Sequence, residues 1–218
     1  ASPAYNTDND TEKWRRAAEA GMKAIDAIGF DNLRSFAAYI NKSRLNDGDY
    51  TNPDIFFRGP VQKEVTTYEK ENFPPRAGSG GGYINPSQNL VDAYEMTDGS
   101  KFDWNNPEHA ANPYANRDPR LALTVYMNGA SFQNTTIETF EGGAHKNIKN
   151  GTLTGYYLRK FVDSNINLVT NGTSNHPWVI FRISEIYLNY AEALNESDPG
   201  NPDILIYANK ARERSDVK

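Results

Sequence analysis

Apolar positions along the chain fall into three regimes. From Trp14 onward, Ala17, Ala18, Gly21, Ile25 and Ile28 recur at three- and four-residue spacing, the period of one helix face. Asp10 or Thr11 is placed to cap its start and Gly29 to end it. Ala and Gly dominate that face, so it is narrow and suits the close approach of a second helix. A weaker helical pattern runs from Asp31 through Leu33, Phe36, Ala37 and Ile40. Helix is expected again over residues 178–195, where from Phe181 on Ile183, Ile186, Tyr187, Tyr190, Ala191 and Leu194 form a broad apolar face. Pro199 and Gly200 break the pattern, Asn201 caps, and Pro202 opens another helix with the stripe Ile204, Tyr207, Ala208 and Ala211. Two helices about a short break with small residues in the stripe are the unit of a tetratricopeptide-like hairpin. One such unit alone cannot bury its own face.

The middle reads differently. From Asn46 to Pro113, Gly, Pro, Asn and Asp recur every few residues and no long helical period survives. Its many rings, among them Tyr50, Phe56, Tyr94 and Phe102, favour order, and long ordered loops tend to carry function. Residues 54–58, 121–127 and 156–162 read as short strands that could form one small antiparallel sheet. The predicted fold is mainly α: helical hairpins over residues 10–45 and 178–215, and a loop-rich region with short strands over 46–177.

Composition narrows the function. The 218 residues carry a net charge of −5, so there is no basic surface to release phosphate counterions and nucleic acid is not an expected partner. The absence of Cys excludes thiol nucleophiles, zinc–thiolate sites and disulfides. No apolar run approaches the roughly 18 residues of a membrane span. The chain starts without Met or a signal pattern and stops after a helical segment, so it is expected to be a processed or truncated piece.

Catalytic chemistry finds little support. His109, His145 and His176 lack an i, i+4 partner or a second ligand nearby and read as structural or solvent-exposed. The run from Gly78 to Gly82 is followed by Asn85-Pro86 rather than Lys-Ser/Thr, so it reads as a flexible loop and not a phosphate cradle. Asp92, Glu95, Asp98 and Asp103 could supply a glycosidase pair, as the carboxylates of any acidic protein could. Asp8-Asn9-Asp10 lacks the Gly and terminal Glu of a calcium loop, and no metal or other cofactor is expected. Aromatic residues on polar loops say more, because the C–H faces of sugar rings stack on them while amides and charges bond the hydroxyls. Such mixtures occur from Tyr68 to Tyr83 and from Phe102 to Tyr114.

Four colinear motifs then resemble the SusD/RagB family: residues 86–96 (PSQNLVDAYEM), 116–121 (NRDPRL), 155–161 (GYYLRKF) and 178–196 (WVIFRISEIYLNYAEALNE). The resemblance runs from the Trp14 helix to residues 208–212 (ANKAR). It implies a SusD-like fold of tetratricopeptide-like hairpins with a loop-rich half carrying the ligand site. It further implies non-catalytic binding of an oligo- or polysaccharide on the extracellular face of the outer membrane of a Gram-negative bacterium. A SusC-like TonB-dependent transporter would receive the glycan, and the membrane would be reached only through an N-terminal lipid anchor absent from this chain. Relative to the family, the chain reads as a part truncated at both ends. The motif residues are expected to be structural: Arg117, Asp118 and Arg120 organise a turn fixed by Pro119, and Trp178 and Arg182 lock the hairpin onto the strands. Ligand contacts are therefore expected from loop chemistry, with Tyr68, Phe73, Tyr83 and Trp104 as stacking platforms and Arg58, Asn72 and Asn105 as polar partners. The alternatives are a protein-interaction module for the transporter without its own glycan site and, less favoured, a glycoside hydrolase.

Overall fold

The computed structural model of the chain describes residues 8, 10–29, 33, 35–37, 40, 54–75 and 80–214. The chain divides into two compact units: Ala1–Tyr39, Tyr50–Pro60 and Trp178–Asp216 form a helical unit, and Ile40–Asp49, Val61–Pro177 and Val217–Lys218 a loop unit. Of the expected helical stretch over 31–40, Phe36, Ala37 and Ile40 are helical and residues 31, 32, 34, 38 and 39 lie outside the described residues, as does Tyr50.

In the helical unit, α1 (Thr11–Ile28) packs on α6 (Ile183–Ser197), and α6 on α7 (Asp203–Glu213). The Asp10 carboxylate accepts the Glu12 N–H and so caps α1. Trp14, Ala18 and Ile25 meet Ile183, Tyr187, Tyr190, Leu194 and Tyr207 in one core. Gly21 lets the helices close: a Cβ there would stand 3.2 Å from Tyr190 Cβ. Asn201 Oδ1 accepts the Asp203 N–H at 3.0 Å and starts α7, as the sequence predicts.

The start of α6 departs from expectation. Residues 178–182 belong to a strand, β6 (Ser174–Arg182), paired with β1 (Ile55–Val65), and the helix begins only at Ile183. Trp178 does not lock a hairpin, since its side chain is 74% exposed. The buried Asp54 does that work: its carbonyl accepts the Ile183 N–H at 2.9 Å, its carboxylate bonds the Ser184 N–H, and Arg214 Nη2 donates to it at 2.9 Å. Burial pushes the Asp54 carboxyl up, against the pull of Arg214 and Arg182.

The loop unit carries short helices α2 (Thr67–Asn72), α3 (Gln88–Asp92), α4 (Pro107–Ala111) and α5 (Pro119–Thr124). Residues 121–124 are thus helix rather than strand, opened by the Asp118 cap and Pro119 at the first helical position. The strand segment shortens to β2 (Val125–Tyr126), which pairs antiparallel with β5 (Tyr157–Leu158). The hairpin β3 (Ser131–Phe132) and β4 (Thr135–Thr136) makes a separate ribbon. Among the described residues the strands therefore form three two-stranded sheets rather than one, in a chain that remains mainly helical. The rings Phe73, Tyr126, Phe132 and Tyr157 centre one core, and Val91, Leu121, Val125 and Tyr156 another. The glycine run is not slack where it is described. Gly82 is buried, its N–H donates to Asn150 O at 2.8 Å, and a Cβ on it would come within 2.6 Å of the Tyr157 ring.

Candidate functional site

The best-built surface in the loop unit is the segment from Phe102 to His109. Arg117 is its foundation. Its guanidinium, almost fully buried, donates to Pro113 O at 2.8 Å, Val91 O at 2.6 Å and Tyr94 O at 2.7 Å, and lies 4.1 Å from the Phe102 ring centroid. Phe102 stacks on His109 with centroids 5.4 Å apart and holds Trp104 edge-on at 4.9 Å. The Asp103 N–H donates to His109 Nδ1 at 3.2 Å, and Asp103 Oδ1 accepts both the N–H and the side-chain amide of Asn105. Two residues of loop are thereby closed into a tight turn with Trp104 at its tip.

The indole is oriented from below. Its Nε1 donates to Asp92 Oδ2 at 3.1 Å, Gln88 Nε2 donates to Asp92 Oδ1 at 2.8 Å, and the Tyr156 hydroxyl donates to Gln88 Oε1 at 2.8 Å. Gln88 and Asp92 lie one turn apart on α3, so a single short helix sets the ring angle. Trp104 keeps 46% of its surface exposed while held this way. A fixed, half-exposed ring with its polar edge satisfied has little rotamer freedom to lose on stacking.

His109 also lines a cleft of about 680 Å³ with Met96, Thr97, Asp98, Glu108, Asn112 and Asn116. The Ser100 hydroxyl and backbone N–H bonded to Asp98 hold its carboxyl below the usual range. Asp92, Asp98 and Asp103, weighed above as catalytic groups, all carry these local bonds. Among the described residues no group of three His, Asp or Glu side chains converges as a metal site, and no helix is long and apolar enough to cross a membrane.

The other expected ligand residues are scattered. Tyr83 is 64% exposed, and among the described residues no ring contact joins it to Trp104. Tyr68 is half-buried; its hydroxyl donates to Lys160 O at 3.3 Å, its ring tilts over His176 at 4.9 Å, and burial, with the Glu69 charge, lifts its hydroxyl to about 12. Beside it, His176 Nε2 meets the fully buried Glu69 carboxylate at 2.8 Å, which also accepts the Asp163 N–H. Asn72, 1% exposed, donates to Tyr68 O at 2.8 Å, and Phe73, 4% exposed, packs edge-on against Phe132. Arg58 belongs to the helical unit. Asn105 alone shares the Trp104 loop. Sequence reasoning missed Phe102, His109, Gln88 and Asp92 as the parts that set the platform, although Gln88 and Asp92 at i, i+4 spacing were a readable signal.

A second cleft of about 580 Å³ opens between the β3–β4 hairpin and residues 164–169, with Phe73, Phe132 and Leu168 among its lining.

A family model described as the SusD family matches residues 37–218. A search of curated proteins finds no match. Among solved structures, a SusD-like carbohydrate-binding protein from Bacteroides fragilis NCTC 9343 is similar with a TM-score of 0.68 at 24% identity, over 94% of this chain and 41% of that one. A second SusD-like protein from the same strain gives 0.69 at 23% identity, over 93% and 44%. At such identities the likeness is one of fold, and this chain spans less than half the length of either structure. The family match, by contrast, takes in every element from β1 to α7, and on that ground the chain belongs to the SusD family.

Proposed function

We propose that the chain binds an oligo- or polysaccharide without turning it over, with Trp104 as the principal stacking platform and Asn105 beside it. The observation that carries this reading is the half-exposed indole fixed by Asp92 and Phe102, whose ring stacks in turn on His109 in the wall of a polar cleft. Sugar C–H faces are matched by such a ring, and the Asn112, Asn116 and Glu108 side chains lining the cleft offer partners for hydroxyls. Membership of the SusD family supports the same ligand class, and a SusD-like relative is described as carbohydrate-binding. Tyr83 offers a second exposed ring, whereas Tyr68, Asn72 and Phe73 support the scaffold more than they face a ligand. We place the protein on the outer face of a Gram-negative outer membrane, lipid-anchored and delivering its glycan to a SusC-like TonB-dependent transporter. Family membership supports that setting.

Affinity electrophoresis against a panel of polysaccharides, with reducing ends assayed on the same mixtures, tests the proposal. Retardation by at least one glycan with no new reducing ends is expected. Release of reducing ends, or no retardation by any polysaccharide, would contradict it.

A further inference from the structure

We propose that the cleft beside the β3–β4 hairpin is a saccharide site of its own, selective for uncharged sugars. This rests on the reading of the chain as a glycan-binding protein and adds to it a second site with a stated ligand class. The cleft shares no lining residue with the one beside His109.

Its walls supply the two kinds of contact a neutral sugar needs. Val169, 73% exposed, and the narrow uncovered edges of the otherwise buried Phe73, Phe132 and Leu168 give an apolar side, and Asn134, Asn165 and Asn167 stand at the rim; no residue lining the cleft is ionisable. A sugar ring can set its C–H groups against that apolar side while its hydroxyls meet amides, which both donate and accept. A uronate or sulfate would find no cation in exchange for its lost hydration. The volume, about 580 Å³, falls within the roughly 300–1,000 Å³ of small-molecule sites.

The amides are available. Among the described residues, the side chains of Asn134 and Asn165 have no protein partner and both are exposed. Asn167 accepts the Val169 N–H at 2.9 Å through Oδ1, which leaves its NH2 for a ligand.

The walls are also tied at a fixed separation. Gln133, at φ 51°, turns the hairpin and sends its Nε2 across the cleft to Ser164 O at 3.2 Å and Ile166 O at 2.9 Å. The facing loop is braced by Asp163 Oδ1, which accepts the Asn165 N–H at 3.1 Å, and by Gly172, whose N–H donates to Asn167 O at 2.8 Å. A cleft held open by its own bonds avoids much of the ordering cost of binding.

Calorimetric titration of the whole chain with malto-, cello-, xylo- and manno-oligosaccharides, and with oligogalacturonate as the acidic probe, tests the inference. A neutral probe that binds is expected to fill two sites. The double substitution Asn134→Ala/Asn165→Ala should remove one and Trp104→Ala the other. Gln133→Ala should weaken the first site several-fold with the melting temperature kept, and oligogalacturonate should not compete there. A single site lost in Trp104→Ala and indifferent to the asparagine changes would overturn this inference and leave the Trp104 proposal standing. A single site with the opposite sensitivity would overturn the Trp104 placement and keep the cleft. Oligogalacturonate binding at the cleft as tightly as the neutral probe would overturn the selectivity, and no binding by any neutral probe would overturn both.

Discussion

In the helical unit, Trp14, Ile25, Tyr187 and Tyr207 meet side chain to side chain on faces set by helical period; in the loop unit, Arg117, Glu69, Thr152 and Gln133 bond to backbone and hold segments with no period at all. Apolar packing suits regular elements, whose own hydrogen bonds are complete. Irregular backbone leaves its carbonyls and N–H groups in need of partners, so long polar side chains fill that need and fix the loops. The difference explains how a surface made of loops can present a ring such as Trp104 at a set angle. It also predicts that the two units break under different substitutions.

Tyr187→Ala, at the centre of the helical core, is expected to lower stability by about 3–5 kcal/mol in chemical denaturation, through lost burial and a cavity. Arg117→Met keeps bulk but strips three carbonyls of a charged donor, and should lower stability by about 3 kcal/mol. A loss below about 1 kcal/mol would mean the loop unit is not held by such polar bonds. Trp104→Ala inverts the pattern: stability should hold, while glycan affinity falls roughly thirtyfold, about 2 kcal/mol. The smallest effect concerns alkali. Burial, with help from the Asp203 charge, lifts the Tyr190 hydroxyl from 10.0 to about 12. The folded chain therefore holds this proton more tightly than the unfolded one, so its contribution is complete below pH 10 and declines as pH rises from 10 to about 12. Melting temperatures across that window should fall less steeply in Tyr190→Phe than in wild type.

Legibility in the sequence followed the same division. The α1 face, the Asp10 cap and the Asn201 start of α7 are local signals, and the helices stand where those signals put them. Residues 178–182 misled because Trp178, Phe181 and Arg182 also fit a helical period, with no Gly or Pro between them and Ile183. What makes them strand is β1, more than a hundred residues earlier, and Asp54 bonded to the first N–H groups of α6. At residues 121–124 the opposite error arose: alternating apolar residues suggested strand, although Asp118-Pro119 is a helix-start signal. Ring composition located a site region but could not separate Phe73, drawn into the core by Phe132, from Trp104, kept outward by Asp92 and Phe102. That choice is made by contacts between segments, which spacing does not encode.

The most direct test of the Trp104 platform is isothermal titration of wild type and Trp104→Ala, side by side, with the glycan most strongly retarded in affinity electrophoresis. The account predicts a saturable isotherm for wild type whose Trp104-dependent component is lost in the variant at unchanged melting temperature. An isotherm that is the same in both proteins would contradict it.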